Sequence, residues 1–289
     1  MSPLLLMLLS TVCLSLSGFL AKYLEHIVPI NVLLMARLTI PAIIMLGTAF
    51  ILRARLPTFA ETKVIGKRSI FIALTQFCFF LSLSKLSLIE LVVLFSTGPL
   101  FIPIIEMILY GSTISRPIVL TLVFSFFGVI VQSGVINGVQ FQWGMLLGLL
   151  AGFFNACSQV SMYKSSQIKL NPFMTNGVSF LIAAILVLPI ATLLMESSTS
   201  EFTYWLFPYA AVIVLMGALS VGTQLFRTKA YQRSLSSAEL APIFYLNIFI
   251  AALLQAIFFE QTFQLFQVVG LAIIVSACLA YSYASYNSR

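Results

Sequence analysis

The stretches LSLIEL at residues 86–91 and LSSAEL at residues 235–240 decide how this chain is organised. They agree at four of six positions and lie 149 residues apart (from 86 to 235), about half of the 289-residue chain. Pro41 and Pro189 repeat at nearly the same distance, and Lys22-Tyr23 has its counterpart in Tyr163-Lys164. The sequence therefore predicts two related halves, at residues 1–136 and 137–289.

The sequence around both stretches is almost continuously apolar. Hydrophobic residues make up 61% of the chain, charged residues only 8%, and the mean hydropathy is +1.09, whereas a soluble domain is about a quarter charged. Because a spanning helix needs about 20 apolar residues, a bilayer is the expected solvent. Charges and Pro, Gly, Ser or Asn breaks divide the chain into ten segments, at residues 3–24, 29–52, 69–86, 89–110, 116–135, 142–163, 172–195, 204–230, 237–259 and 263–284.

Five segments in each half force the second half to cross the membrane in the opposite direction. We therefore predict an all-α membrane protein whose ten transmembrane helices form two five-helix repeats of inverted topology. Two inverted halves can rock about a central site and open it to either side. This arrangement favours a secondary transporter of a small molecule that works by alternating access.

The positive charges predict the orientation of the helices. With a cytoplasmic N-terminus, only Lys22 and Lys85 lie at outer ends, which places both termini in the cytoplasm and the chain in the cell (inner) membrane. The first segment lacks a basic start and a cleavage site, so we interpret it as a retained helix rather than a signal peptide. The cytoplasmic set is Arg53, Arg55, Lys63, Lys67, Arg68, Arg116, Lys164, Lys169, Arg227, Lys229, Arg233 and Arg289.

Several classes of function are disfavoured by what the sequence contains. Its four cysteines lie apart within apolar segments, it has one histidine and no aspartate, and so we expect no disulfide, metal site or cofactor. The net charge of +7 follows the loops, which argues against nucleic acid as a partner. No Walker loop is present, and an intramembrane enzyme is the least favoured alternative. A channel or a non-transporting scaffold stays open, as does a monomer or a homodimer.

The motif Ser-x-x-Glu occurs in both repeated stretches, as Ser87 with Glu90 and as Ser236 with Glu239. It is the pattern of a capping box, in which the serine caps a helix and the glutamate reaches back. Inversion of the repeats would also place Glu90 outside and Glu239 inside. A pair of gating residues is therefore a second interpretation, compatible with the first.

The chain resembles the EamA-type branch of the drug/metabolite transporter superfamily over nearly its whole length. The resemblance rests on Arg37 in the second segment, the run TQLFRTKAY at residues 223–231, the stretch SAELAP ending at Pro242, Tyr245, and Phe259-Glu260 with Gly270 ten residues on. It departs at Tyr110-Gly111-Ser112, where the Glu of the family's Gly-Glu turn is missing. The resemblance implies a central cavity within the first four helices of each half, and transport of amino acids, nucleoside-type compounds or related metabolites.

Two ionisable residues, Arg37 and Glu106, lie within the apolar segments. A charge at a helix centre costs on the order of 2.5–3.5 kcal/mol on insertion scales, so each is a candidate for function. Arg37 would bind an anionic group, and Glu106 would couple transport to a proton or cation. The alternatives are a structural pair between helices two and four, or an arginine that reaches the outer headgroups.

Polar residues at helical spacing predict inward faces on several helices. Helix eight carries Gly217, Ser220, Gln224, Thr228 and Tyr231, and helix six carries Gly148, Gly152, Asn155, Gln159 and Met162. Such residues either bind substrate or join neighbouring helices. The candidate substrate-binding residues are Arg37, Gln76, Asn155, Gln159, Gln224, Tyr245 and Asn247.

Proline residues interrupt helix four, where Gly98-Pro99 and Pro103 occur in one apolar segment. A proline removes an amide donor and frees a carbonyl group, which at membrane depth requires protein or water as a partner. Pro99 is therefore a candidate hinge beside the site, with a static kink as the alternative. Together with 26 Phe and 10 Tyr residues, the polar faces favour an amphipathic or aromatic substrate.

Overall fold

A computed structural model describes residues 1–24, 27–83, 85, 91, 94–111, 115–133, 143–193, 202–258 and 265–287. Within these residues the chain forms ten α-helices and one 3₁₀ helix, Ala238–Tyr245, which leads directly into α9. The helices are α1 Pro3–Leu24, α2 Ile30–Ile51, α3 Phe59–Leu83, α4 Gly98–Tyr110, α5 Arg116–Ser133, α6 Trp143–Ser166, α7 Pro172–Leu193, α8 Phe202–Tyr231, α9 Leu246–Phe258 and α10 Leu265–Asn287. The predicted all-α fold of ten helices is confirmed.

Five of the helices, α1, α2, α6, α7 and α8, contain stretches long and apolar enough to cross a membrane within the described residues. Shorter apolar stretches lie at Gly98–Tyr110, Arg116–Val131, Ala238–Leu254 and Leu265–Tyr281. Helix α3 differs because Glu61, Lys63, Lys67 and Arg68 occupy its first three turns.

Helix α3 begins ten residues before the predicted start, because a capping box supports an additional stretch of helix. The Thr58 Oγ1 atom accepts from the Glu61 N–H group (3.4 Å), and the Glu61 carboxylate accepts from the Thr58 N–H group (2.8 Å). Arg55 then donates twice to the same carboxylate (2.6 and 2.8 Å). The signal was visible as Thr-x-x-Glu at residues 58–61.

The helices of the fourth and ninth segments are both broken near their beginning. Helix α4 begins at Gly98, directly after a turn at Ser96 and Thr97 that separates it from the helical residues Leu91, Leu94 and Phe95. The ninth segment starts as the 3₁₀ helix and becomes α-helical only at Leu246. Since 98 and 246 are separated by half of the chain, the two breaks occupy equivalent places in the two halves.

Each helix of the first half has an equivalent five places further along the chain, so that α1 corresponds to α6 and α5 to α10. The contacts between helices stay the same when every helix is replaced by its equivalent. Helix α1 packs on α8 as α6 packs on α3, and α2 packs on α8 as α7 packs on α3. Helix α4 contacts α6 as α9 contacts α1, while the pairs α2–α7 and α5–α10 map onto themselves. This exchange symmetry is expected when a twofold axis relates two repeated halves, as in inverted repeats, and most of the contacts join one half to the other.

Glycines on α6 let this helix approach the first half closely, as the sequence predicted. A Cβ atom at Gly152 would lie 3.0 Å from Thr97 Oγ1 and 3.1 Å from the carbonyl oxygens of Leu94 and Phe95. About two helical turns earlier on α6, the Gly144 carbonyl oxygen accepts a hydrogen bond from the Ser82 hydroxyl (2.8 Å). The small residues therefore hold α6 against the end of α3 and the turn before α4.

Candidate substrate site

A buried arginine, Arg68, joins three helices in the interior of the bundle. Its side chain on α3 is only 2% exposed. The Nη1 atom donates to Asn176 Oδ1 (2.8 Å) and Ser179 Oγ (3.3 Å) on α7, and Nη2 donates to Gln224 Oε1 (2.9 Å) on α8. All three acceptors are uncharged, so the positive charge is solvated by amide and hydroxyl dipoles rather than by a carboxylate.

A second buried arginine, Arg227, lies one turn beyond Gln224 on α8 and is 4% exposed. Its Cζ atom lies 4.8 Å from the ring centre of Phe244 in the 3₁₀ helix, a cation–π contact. Its Nε and Nη2 atoms have no hydrogen-bond acceptor among the described residues. Tyr231, four residues on, is fully buried and donates weakly to Gln159 Oε1 (3.4 Å).

Both arginines correct the sequence-based count of loop charges, which placed them in the cytoplasmic loops. They lie inside helices because α3 starts early and α8 continues to Tyr231. The remaining ten basic residues still outnumber the two at the outer ends, so the predicted orientation keeps its basis. For Arg227 a signal was present in the sequence, since it stands three residues after Gln224 and four before Tyr231 on the predicted inward face.

The predicted inward faces of α6 and α8 are confirmed by their burial. Gly217, Thr228 and Tyr231 on α8 and Gly148, Gly152, Gln159 and Met162 on α6 are buried. Three predicted substrate-binding residues, Gln224, Gln159 and Asn155, form hydrogen bonds on these faces. Gln224 accepts from Arg68, Gln159 accepts from Tyr231, and the Gln159 amide lies 3.5 Å from Asn155 Oδ1.

Three other candidates lie on or beside the broken helices. Asn247 accepts from the Ser15 hydroxyl of α1 (2.8 Å), which ties α9 to α1. Tyr245 is 1% exposed, and its hydroxyl has no hydrogen-bond partner among the described residues. Pro99 is buried in the first turn of α4. Backbone nitrogens in the first turn have no acceptor within the helix, so a proline there removes no helical hydrogen bond.

Arg37 and Gln76 form no hydrogen bond with this group among the described residues. Both are half-buried, on α2 and α3, and neither has a hydrogen-bond partner among the described residues. Between described residues the single ion pair is Arg55–Glu61, so Arg37 and Glu106 do not form the structural pair considered above. Their roles in binding and coupling stay predictions.

Glu106 on α4 binds the start of the 3₁₀ helix of the other half. Its side chain is 2% exposed, and its two oxygens accept from the backbone N–H groups of Ser237 (3.0 Å) and Ala238 (2.8 Å). An anion at a helix N-terminus is favourable because the first amides of a helix lack internal acceptors. Glu106 therefore joins the broken α4 to the broken α9.

The predicted capping box of the second half is present in a shifted form. Ser236 Oγ accepts from the Glu239 N–H group (3.2 Å), and the Glu239 carboxylate accepts from the N–H group of Leu235 rather than of Ser236 (3.1 Å). Ser87 and Glu90 lie outside the described residues. A gating role for Glu90 and Glu239 stays a prediction.

The comparison with known proteins decides the family. The model of the EamA-like transporter family matches residues 1–134 and 142–283, one repeat in each half. The chain belongs to this family. It is therefore a multi-pass membrane protein of a transporter family, as the resemblance implied.

Solved structures carry the same fold as this EamA-like protein. Twenty-nine chains of known structure match it. One of them, a crystal structure of a protein not described further, has a TM-score of 0.77 at 18% sequence identity, over 99% of this chain and 98% of that one. At this identity the likeness concerns the fold alone. No curated protein sequence matches.

Replacing Asn176 by leucine is expected to weaken the Arg68 network. The substitution removes the acceptor of Arg68 Nη1 and the donor to Thr228 Oγ1 (2.9 Å), and it leaves buried polar atoms without partners. We expect a loss of about 2 kcal/mol in the free energy of unfolding, measured by unfolding in mixed micelles. Gln232→Leu, at an exposed amide just after α8, is the control, and equal stability of N176L and wild type would contradict the assigned network.

Proposed function

We propose that this EamA-like protein is a secondary active transporter of a small metabolite, driven by protons or by exchange, in the cytoplasmic membrane. The observation that carries the proposal is the exchange symmetry of the helix contacts. Because each half packs mainly on the other, a small rotation of one half against the other opens one face of the bundle and closes the opposite face. Both termini are cytoplasmic in this proposal, in agreement with the basic loops.

The broken helices support a movement of this kind. Helix α4 and the 3₁₀ helix contact each other and are joined by the Glu106 carboxylate. Breaks at equivalent positions of both halves allow each outer segment to move without bending a continuous hydrogen-bonded helix. We assign the two breaks as the hinges between which the substrate passes.

Contacts at the predicted cytoplasmic ends support a conformation that is closed toward the cytoplasm. Tyr163 on α6 donates to the Leu235 carbonyl oxygen (2.6 Å), and Gln167 donates to the Tyr231 carbonyl oxygen (3.0 Å). Arg233 reaches the carbonyl oxygen of Met1 (2.8 Å). These bonds join α1, α6 and α8 and would have to break for the site to open inward.

Counterflow in proteoliposomes tests the proposed transport. Vesicles preloaded with one of a panel of amino acids or nucleosides are expected to take up the same labelled compound faster than empty vesicles, with saturation and without ATP. Uptake that is linear and cannot be competed would indicate a channel. Vesicles carrying Tyr163→Phe are the internal comparison, because the loss of its cytoplasmic bond is expected to change the exchange rate while the protein still folds.

A further inference from the structure

The two buried arginines form the one strongly charged cluster that the packing of the described helices does not explain. Arg68 on α3 and Arg227 on α8 both contact the region around Gln224, directly in the first case and from the next turn in the second. Each lies within electrostatic range of the other and of Tyr231. Two guanidinium groups that repel each other inside an apolar bundle require a compensating negative charge.

The described carboxylates do not supply this charge by contact. Glu106 directs both of its oxygens to the amides of Ser237 and Ala238, and Glu239 accepts from Leu235. The acceptors of Arg68 are amide and hydroxyl oxygens. Since an arginine keeps its proton in proteins, the cluster retains its positive charge.

The free donors of Arg227 have the geometry of a binding site for an oxyanion. Its Nε and Nη2 atoms form one edge of the planar guanidinium, and both are buried without an acceptor, as is Arg68 Nε. The Phe244 ring lies against the face of the Arg227 group, so this contact does not use the N–H groups of the edge. Two parallel N–H groups along such an edge match the two oxygens of a carboxylate, or two oxygens of a phosphate.

We propose that Arg227, with Arg68 beside it, binds the oxyanion group of the transported metabolite, which is therefore an organic anion or zwitterion. The inference rests on the proposed transport and assigns its substrate class. Tyr231 on α8 bonds to Gln159 on α6, which lies next to Asn155, and these three side chains provide hydrogen-bonding groups for the rest of the molecule. The cluster is covered in the present conformation, so the anion enters when the halves move apart.

Thermal unfolding in detergent tests this site with defined probes. Phenylalanine is compared with phenylalaninamide, and glycerol 3-phosphate with glycerol, at constant ionic strength set by sodium chloride. We expect the member that carries the carboxylate or phosphate, in at least one pair, to raise the apparent melting temperature, on the order of 5 °C at saturating concentration. The pair that responds tells a carboxylate from a phosphate ester, and absence of a response in both pairs overturns the proposal.

Variants of Arg227 separate binding from folding. Arg227→Met removes an unpaired buried charge, so its melting temperature without probe is expected to equal or exceed that of the wild type, while the response to the anion is lost. Arg227→Lys keeps the charge but lacks the planar edge. It should need at least a tenfold higher concentration of the probe for the same rise in melting temperature. The control is Lys229→Gln, an exposed basic residue two positions further along α8, which should respond like the wild type.

The same samples distinguish this inference from the proposed transport. A response to the anion that persists in Arg227→Met overturns the site. If an uncharged compound shows counterflow and neither oxyanion probe raises the melting temperature, the proposed transport stands and the anion site is refuted. A response to anions in a protein that shows no counterflow leaves the site and refutes transport.

Discussion

Replacing Glu106 by alanine is expected to lower the free energy of unfolding by about 3 kcal/mol. The carboxylate accepts from two buried N–H groups, those of Ser237 and Ala238, and a buried donor that loses a charged acceptor costs on the order of 1–3 kcal/mol. The loss falls on the contact between the broken α4 and the 3₁₀ helix. Unfolding in mixed micelles, followed by circular dichroism, measures the effect.

Two further variants show whether Glu106 also couples transport. Glu106→Gln keeps one oxygen acceptor and should recover part of the stability, but it cannot carry a proton. If it folds and exchanges substrate while uptake no longer follows a proton gradient, the coupling role is supported. Glu61→Ala, which removes the capping box and the ion pair at the start of α3, is the comparison and should cost less stability because these bonds are partly exposed to solvent. An alanine variant at position 106 as stable as the wild type would refute the structural role.

Gly152→Leu is the second substitution with a large expected effect. A Cβ atom alone would come within 3.1 Å of two backbone oxygens, those of Leu94 and Phe95, which cannot move aside as a side chain does. The remaining leucine atoms would push α6 away from the turn before α4. We expect a loss of about 3 kcal/mol or more in the free energy of unfolding, with reduced folded yield in the membrane.

A matched pair of alanine variants isolates this close approach. Gly152→Ala is expected to cost about 1–2 kcal/mol. Gly66→Ala, within α3 and with open space around its Cβ position, should instead stabilise the helix by up to about 1 kcal/mol. Equal effects at the two positions, compared by thermal unfolding, would show that α6 does not pack on the turn as described.

The fold followed from the sequence to an unusual degree because a bilayer imposes strong rules. Apolar segments of spanning length must be helices, since backbone groups in lipid have no other partners. The buried faces of α6 and α8 were also predictable, because Gln159, Gln224 and Thr228 recur at the helical period and cannot face lipid. The start of α3 was wrong by ten residues only because the Thr58–Glu61 signal was not used.

The candidate site was predicted less completely. Gln224 and Gln159 do hydrogen-bond to Arg68 and Tyr231, but Arg68 was assigned to a loop and Asn176 was not singled out. Their hydrogen bond connects residues 108 positions apart, and no local pattern contains it. Arg37 and Glu106, the two charges that stood out in the sequence, lie in separate environments in the structure.

The two repeated stretches at residues 86–91 and 235–240 show which features followed from the sequence and which only from the tertiary structure. The sequence by itself determined ten helices and two related halves, because these depend on composition, spacing and the number of crossings, and the orientation stays a prediction. Only the tertiary structure decided that α4 and α9 are broken, that Glu106 binds the 3₁₀ helix, and that Arg227 has an unpaired edge. Those features depend on contacts between the two halves, which are far apart in the sequence and adjacent only after folding.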